Sequence, residues 1–167
     1  ALKTNLPEVL ILEPQVYNDE RGFFFESYNK LDFKEITGLD INFVQDNQSK
    51  SDKNVLRGMH FQNPPFDQGK LVRVIEGSVL DIAIDIRQKS STYGQHFKIK
   101  LDAKKHQMLW IPSGFAHGFL SLEDDTIFSY KCTNYYNKDS EGCILYNDQN
   151  IGIDWEVEKP ILSTKDK

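Results

Sequence analysis

The segment from Arg57 to Lys70, R-G-M-H-F-Q-N-P-P-F-D-Q-G-K, contains side chains that could carry out proton chemistry on an anionic substrate. The imidazole of His60 can accept a proton near neutral pH. Arg57 and Lys70 can hold a phosphate group or a developing oxyanion. Glycines and prolines bound these residues, so we expect a loop that leads into a strand beginning near Lys70. A loop histidine is more often merely hydrogen-bonded than catalytic, but its two cationic neighbours favour a functional site.

A second candidate cluster is Ile111–Phe119, I-P-S-G-F-A-H-G-F. Pro112 and Gly114 indicate a turn, so His117 should stand at the start of a strand with small residues beside it. The glycines could serve only the geometry of the turn. Small neighbours around a histidine also leave space for a ligand, so we interpret His117 as a candidate binding residue.

Two polar segments could complete a binding site. In Asn18–Glu26, Arg21 and Glu26 could contact a ligand or simply form a salt-bridged strand edge. The segment Phe43–Ser51, F-V-Q-D-N-Q-S-K-S, is rich in amides and hydroxyls. Such groups recognise sugar and base hydroxyls through directional hydrogen bonds, although the same composition is also that of an ordinary polar loop.

Strand-like segments dominate the rest of the chain. Alternation is strongest in Val79–Ile86, V-L-D-I-A-I-D-I, which places Asp81 and Asp85 on one face. Further strands are predicted at Val9–Leu12, Phe23–Glu26, Asn42–Gln45, Leu71–Ile75, His96–Leu101, Met108–Ile111 and Thr126–Cys132. One short helix is predicted at Lys30–Thr37 and is closed by Gly38. Many short strands separated by turns are typical of an all-β sandwich or barrel.

Composition limits the class of protein. A formal net charge of −5 argues against a general nucleic-acid binder, because the phosphate-neutralising charge would be missing. With 39% hydrophobic residues and no internal linker, residues 1–167 should form one domain. There is neither a signal-peptide-like apolar run nor a stretch of roughly 20 apolar residues, so we expect a cytoplasmic protein with no membrane contact. Cys132 and Cys143 are interpreted as reduced thiols.

Other site chemistries have weaker support. The metal site of cupins typically uses a His-x-His pair, a nearby carboxylate and a later histidine, but Gln62 stands two residues after His60 and breaks the pair. The remaining histidines are His96, His106 and His117, so a metal-free site is favoured. No G-x-S-x-G, G-x-G-x-x-G or P-loop motif occurs, which argues against serine hydrolases and against nicotinamide or ATP chemistry.

Taken together, the motifs resemble those of the dTDP-4-dehydrorhamnose 3,5-epimerase family, which are metal-independent members of the cupin-like barrels. The motifs that carry the resemblance run along nearly the whole chain and are D-E-R-G-F-F (Asp19–Phe24), F-V-Q-D-N (Phe43–Asn47), V-L-R-G-M-H-F-Q (Val55–Gln62), Q-G-K-L-V-R-V (Gln68–Val74), D-I-A-I-D-I-R (Asp81–Arg87), I-P-S-G-F-A-H-G-F (Ile111–Phe119), Y-K-C-T-N-Y-Y (Tyr130–Tyr136) and L-S-T-K-D (Leu162–Asp166). The resemblance implies a cupin-like jelly-roll sandwich or barrel with a few short helices.

The same resemblance implies a cofactor-free isomerase that acts on a small-molecule substrate, dTDP-4-dehydro-6-deoxy-D-glucose. The C4 ketone acidifies the protons on C3 and C5, so a base can remove one to give an enolate and an acid can return a proton to the opposite face. One alternative is a relative that inverts a single centre or uses another nucleotide sugar. A sugar-binding or regulatory cupin without catalysis is a further alternative, since it needs no opposed base and acid.

The resemblance also implies residue roles. His60 corresponds to the base, Tyr130 to the acid, Asp166 to the carboxylate that orients the histidine, and Lys70 to the cation at the enolate oxygen. The implied substrate-binding residues are Arg57, His117, Gln45, Asn47 and Tyr136, with Arg21, Phe24 and Glu26 reaching the nucleotide from a neighbouring subunit's exchanged strand. A homodimer also agrees with the 12% aromatic content, which is more apolar surface than one small barrel can bury.

Overall fold

The computed structural model describes all of residues 1–167, and most of its regular structure is antiparallel strand. The strands are β1 (Leu2–Lys3), β2 (Leu10–Leu12), β3 (Tyr17–Asp19), β4 (Gly22–Phe24), β5 (Gln45–Ser51), β6 (Leu56–Gln62), β7 (Lys70–Glu76), β8 (Ser78–Asp85), β9 (His96–Asp102), β10 (Met108–Ile111), β11 (Phe115–Ser121), β12 (Thr126–Cys132) and β13 (Glu141–Cys143). The helical elements are α1 (Lys30–Thr37) and two short 3-10 helices, Lys138–Ser140 and Thr164–Asp166.

The strands form two main sheets and a separate hairpin. The six-stranded sheet has the order β1-β2-β10-β7-β12-β5, the five-stranded sheet has the order β13-β6-β11-β8-β9, and β3 pairs only with β4. The largest apolar cluster joins Val72 and Phe128 of the six-stranded sheet to Ala83 and Phe119 of the five-stranded sheet. The two sheets therefore share one core between their facing sides, and the all-β, cupin-like prediction is confirmed.

A second apolar cluster covers the outer face of the five-stranded sheet. Ile82 and Ile84 of β8 point into it, and Trp155 with its neighbours near the C-terminus packs against them. Backbone hydrogen bonds continue this packing, because Leu56 N–H donates to the carbonyl of Ile161 at 3.0 Å. The chain after β13 is thus held against the sheet, and it returns to the edge of the interior at Asp166.

The single α-helix follows the predicted bounds. The side chain of Asn29 accepts hydrogen bonds from the backbone N–H groups at the helix start, and Gly38 ends the helix with φ of 74°. A glycine is favoured at that position because a positive φ carries no Cβ penalty. No helix in the structure has the length and apolar content needed to cross a lipid bilayer.

The structure corrects the predictions for three segments. The residues around His60 form strand β6, not a loop, and the strand predicted at Asn42–Gln45 lies instead at Gln45–Ser51. The strand predicted at Phe23–Glu26 ends at Phe24. Strand β5 reads Q-D-N-Q-S-K-S and has no apolar face to reveal its period. Its inward side chains are polar because they line a cavity, so the usual alternation signal is missing.

Candidate active site

A polar cavity of about 540 Å³ opens between the two sheets. Strands of both sheets line it, since Asn47 and Tyr130 come from the six-stranded sheet and His60 and His117 from the five-stranded sheet. The predicted site residues that line this cavity are His60, Lys70, Tyr130, Asp166, Arg57, His117, Gln45, Asn47 and Tyr136. The tertiary structure therefore brings together all the predicted catalytic residues and most of the predicted binding residues.

His60 and Asp166 form a hydrogen-bonded pair at the wall of the cavity. Nε2 of His60 lies 2.5 Å from Oδ1 of Asp166, and Ser163 Oγ donates to the other carboxylate oxygen at 2.9 Å. Asp166 is buried, whereas 27% of the His60 side chain is exposed. Burial lowers the pKa of His60, and the nearby Asp166 carboxylate opposes that shift. The imidazole is therefore neutral at pH 7 and able to accept a proton.

Two glycines allow β6 and β11 to approach closely beside this pair. Gly58 has φ of 127°, and a Cβ added there would lie 2.5 Å from Cα of Gly118. The register of these antiparallel strands places His60 directly opposite His117. Any larger residue at Gly58 would force the strands apart, so the glycines of the R-G-M-H and A-H-G-F motifs set the spacing of the two histidines.

His117 forms a second histidine–carboxylate pair. Its Nε2 atom lies 3.0 and 2.9 Å from the two carboxylate oxygens of Asp81, and both residues are buried. Strand β8 supplies Asp81, and the residues that flank it, from Val79 to Ile84, are apolar. The carboxylate fixes the orientation of the His117 ring, whose remaining edge faces the cavity that it lines.

Lys70 and Tyr130 lie on adjacent strands, β7 and β12. Nζ of Lys70 is 5.6 Å from the centre of the Tyr130 ring. Burial raises the pKa of the Tyr130 phenol and lowers the pKa of the Lys70 ammonium. The phenol consequently stays protonated at neutral pH and can donate, while the ammonium is poorly solvated and would interact strongly with an oxyanion.

Hydrogen bonds of ordinary length orient Arg57, Gln45 and Asn47 in the cavity. Arg57 Nε donates to Ser51 Oγ at 3.1 Å. Gln45 Nε2 donates to Oδ1 of Asn47 at 3.1 Å, and Gln45 Oε1 accepts from the backbone N–H of Tyr136 at 2.9 Å. These contacts orient a cation and several amide groups within one pocket, which is the arrangement that a phosphorylated sugar ligand needs.

Three predicted binding residues lie outside this cavity. Arg21 pairs with Asp19 of its own hairpin. Phe24 and Glu26 line a separate groove of about 940 Å³ beside helix α1. Within one chain, Arg21, Phe24 and Glu26 therefore do not reach the other site residues.

Several residues of the site were missed at the sequence level. Glu141 lines the cavity, pairs with Lys165 and accepts a hydrogen bond from Tyr136 Oη at 2.9 Å. The sequence analysis named Gln62 only because it breaks a His-x-His pair. Its buried amide donates to the carbonyls of Phe66 and Tyr135 and so holds the loops before β7 and before β13. No local pattern identifies these residues.

Asp81 was a different case, because a sequence signal existed. An ionisable residue between apolar neighbours in a buried strand requires a partner, and for Asp81 that partner is His117. The sequence placed Asp81 on a strand face but did not connect it with the second histidine motif.

Comparison with known proteins identifies the family. The family model for dTDP-4-dehydrorhamnose 3,5-epimerase matches residues 3–167. The chain belongs to this family. The match includes the base candidate His60 and, at its far end, Asp166, so the family resemblance and the enzyme class predicted from the motifs, an isomerase, are confirmed.

Individual epimerases of the family are similar to this chain over nearly its whole length. The dTDP-4-dehydrorhamnose 3,5-epimerase of Salmonella typhimurium is 57% identical over 167 residues, which cover 99% of this chain and 91% of that protein. A similar crystal structure is that of the dTDP-6-deoxy-D-glucose-3,5-epimerase from Legionella pneumophila in complex with dTDP-4-keto-L-rhamnose. It has a TM-score of 0.95 and 46% sequence identity, and the match covers 99% of this chain and 88% of that chain. The crystal structure of the Bacillus anthracis epimerase with TDP and PPi bound has a TM-score of 0.96 and 43% sequence identity. The match covers 99% of this chain and 94% of that chain.

Proposed function

We propose that this epimerase inverts both C3 and C5 of dTDP-4-dehydro-6-deoxy-D-glucose and releases dTDP-4-dehydro-L-rhamnose. The observation that carries the proposal is the position of a base and an acid in one cavity on strands of different sheets. His60 lies on the five-stranded sheet and Tyr130 on the six-stranded sheet. The Legionella pneumophila relative holds dTDP-4-keto-L-rhamnose, the product of double inversion, which supports this substrate class.

In the first step His60 removes the proton from the carbon next to the C4 ketone. Its imidazole is neutral at pH 7 because burial lowers its pKa. The Asp166 carboxylate, 2.5 Å from Nε2, then stabilises the imidazolium that forms. Ser163 donates to the same carboxylate and fixes its orientation.

Lys70 stabilises the enolate oxygen that develops at C4. Its ammonium is poorly solvated in the cavity, so its attraction to an oxyanion is stronger than it would be in water. A cation at this oxygen lowers the barrier to proton removal at both C3 and C5, because the same ketone activates both carbons.

Tyr130 then returns a proton from the opposite wall. Burial raises the pKa of the phenol, so the group carries its proton at neutral pH and can donate it. Donation from the wall opposite His60 inverts the carbon. The His60 imidazolium then releases its proton to solvent and the Tyr130 phenolate takes one up, which restores the pair for the second carbon. Arg57 and His117 would hold the diphosphate and the sugar of the substrate. Gln45 and Asn47 would form hydrogen bonds through their amides to the thymine base of the nucleotide and to neighbouring groups.

The proposal includes a homodimer with an exchanged N-terminal strand. The hairpin of β3 and β4 pairs with no other strand, and Tyr17, Phe23 and Phe24 on it are exposed. If this hairpin enters a second copy, Arg21, Phe24 and Glu26 reach the partner's nucleotide beside Tyr136. Residues 1–167 would form one catalytic domain in each copy, and the exposed free thiol of Cys143 suits a cytoplasmic enzyme.

Deuterium exchange tests the number of inverted centres. The protein is incubated with dTDP-4-dehydro-6-deoxy-D-glucose in deuterated water, and the sugar is analysed by proton NMR. Double epimerisation predicts deuterium at C3 and C5 with inversion at both carbons. Exchange and inversion at a single carbon would instead establish the single-centre alternative.

A variant pair tests whether His60 in this cavity acts as the base. His60→Ala should lower turnover by at least about 10²-fold, since general base catalysis is worth 10²- to 10⁴-fold. The matched control is His96→Gln, because His96 lies on β9 and does not line the cavity. Near-normal turnover in His60→Ala would exclude His60 as the catalytic base.

A further inference from the structure

A cysteine lies directly beside the His60–Asp166 pair. Strands β13 and β6 are antiparallel neighbours, and their register places Cys143 opposite His60. One ligand atom from each of His60, Cys143 and Asp166 lies within 4.8 Å of the other two. A nitrogen, a sulfur and a carboxylate oxygen thus converge at one point, although the proposed reaction uses only His60 and Asp166.

These three atoms form a donor set suited to a soft divalent cation. Zinc binds thiolate at about 2.3 Å and imidazole nitrogen or carboxylate oxygen at about 2.0–2.2 Å, usually with tetrahedral geometry. That geometry requires about 3.4 Å between the nitrogen and oxygen ligands, against the present 2.5 Å between Nε2 and Oδ1. Small side-chain rotations would open that distance and bring the sulfur closer, and a fourth ligand position would remain for water.

The surroundings of the cluster are compatible with a cation. Cys143 is exposed, and the His60 side chain is partly exposed to the cavity, so an ion can reach both. The nearest ammonium, that of Lys165, is paired with the carboxylate of Glu141. The Lys70 ammonium also acts on His60 and carries the same sign as a dication. Burial raises the pKa of the Cys143 thiol, so cation binding would release its proton to solvent, and the resulting thiolate and the Asp166 carboxylate would together neutralise the dication.

We propose that His60, Cys143 and Asp166 bind a thiophilic divalent cation such as Zn²⁺ and that the bound cation inhibits the epimerase. Neutral imidazole has one basic lone pair besides its N–H group. A cation on either ring nitrogen uses that lone pair, so His60 can no longer accept a proton. The inhibition rests on the proposed role of His60, whereas cation binding does not.

The test combines a spectroscopic measurement with an activity measurement on the full chain. Co²⁺ is titrated into the metal-free protein, and thiolate-to-cobalt charge-transfer absorption is recorded. Epimerase turnover is measured separately as Zn²⁺ is added. The variants are Cys143→Ser, which removes the sulfur at an exposed position, and His96→Gln as a control imidazole on another strand.

The wild type and His96→Gln should each show the absorption at one Co²⁺ per chain and should lose turnover as Zn²⁺ is added. Cys143→Ser should lack the absorption, keep its basal turnover and need at least about tenfold more Zn²⁺ for the same inhibition. Absence of the absorption in the wild type, or equal Zn²⁺ sensitivity in Cys143→Ser, would overturn the proposal. A protein that binds Co²⁺ through Cys143 but never epimerises would instead disprove the proposed function while leaving the cation site in place.

Discussion

The carboxylate of Asp166 and the imidazole of His60 lie 2.5 Å apart although they are 106 positions apart in the chain. The carboxylate is buried and bonded to Ser163, while the imidazole is partly exposed to the cavity. A buried carboxylate that accepts a hydrogen bond from one ring nitrogen leaves the lone pair of the other nitrogen free to face the substrate. This contact determines which nitrogen of His60 can act as a base.

Replacing Asp166 tests that contact. In Asp166→Asn, burial still lowers the pKa of His60, but the charge that opposes the shift is gone. Because the base is active when neutral, the acidic limb of kcat/KM should move to lower pH, and its plateau should fall by about 10²- to 10⁴-fold. The measurement is a pH–rate profile, with the exposed Asp139→Asn as the control. An acidic limb that moves to higher pH in Asp166→Asn would contradict the role of Asp166 in stabilising the protonated His60.

Replacing Tyr130 separates proton removal from proton return. Tyr130→Phe keeps the ring but loses the donor, so His60 can still exchange the substrate proton and return it to the same face. We expect deuterium incorporation without inversion, together with a fall in turnover of about 10²- to 10⁴-fold. NMR in deuterated water reports both quantities. The control is Tyr135→Phe, at an exposed tyrosine outside the cavity lining, which should behave as wild type. Normal inversion in Tyr130→Phe would show that Tyr130 is not the acid.

Replacing Lys70 should lower activity without lowering stability. Burial lowers the pKa of this ammonium, which means that folding favours its neutral form and that the charge opposes folding at neutral pH. Lys70→Met should therefore lower kcat by about 10²- to 10³-fold while leaving the free energy of unfolding unchanged or higher. Steady-state kinetics and urea unfolding together check this. A variant that loses stability as well as activity would assign Lys70 a structural role.

A buried ion pair remote from the cavity should control acid stability. Asp85 is fully buried and accepts hydrogen bonds from Arg87, Ser90 and Thr92 at 2.5–2.9 Å. Burial alone would raise the pKa of Asp85, but these bonds, chiefly those from Arg87, hold it well below its ordinary value. Removing one partner of a buried pair costs about 3–5 kcal/mol. We expect about 2–3 kcal/mol for Asp85→Asn, because the Arg87 side chain is partly exposed.

The sign of the pH dependence follows from the lowered pKa of Asp85. Its stabilising contribution is complete above the unfolded-state value of about 3.9 and is lost as the pH falls toward the folded-state value. Urea unfolding at neutral pH and near pH 3 should show a shallower acid loss in Asp85→Asn than in the wild type. Asp139→Asn, at an exposed carboxylate, is the control and should match the wild type. Equal pH slopes for Asp85→Asn and the wild type would contradict this account.

Local sequence determined the elements whose side chains alternate between core and solvent or follow a helical cap. Strands β7, β10 and β12 and helix α1 lie close to their predicted bounds because apolar periodicity and capping residues act within a few residues. Strand β5 could not be found in this way, since its inward face is polar. The motifs also identified the candidate base, acid and cation, because these functions require particular side-chain types.

Only the tertiary structure decided which of those residues meet. The pairs His60–Asp166 and His117–Asp81 join distant parts of the chain through sheet register and the return of the C-terminal segment. The register of β13 on β6 likewise brought Cys143 beside His60, which nothing in the sequence around either residue indicates. Side-chain type is a local property of the chain, whereas a hydrogen bond or a cation site depends on distances that strand pairing and packing set over the whole molecule.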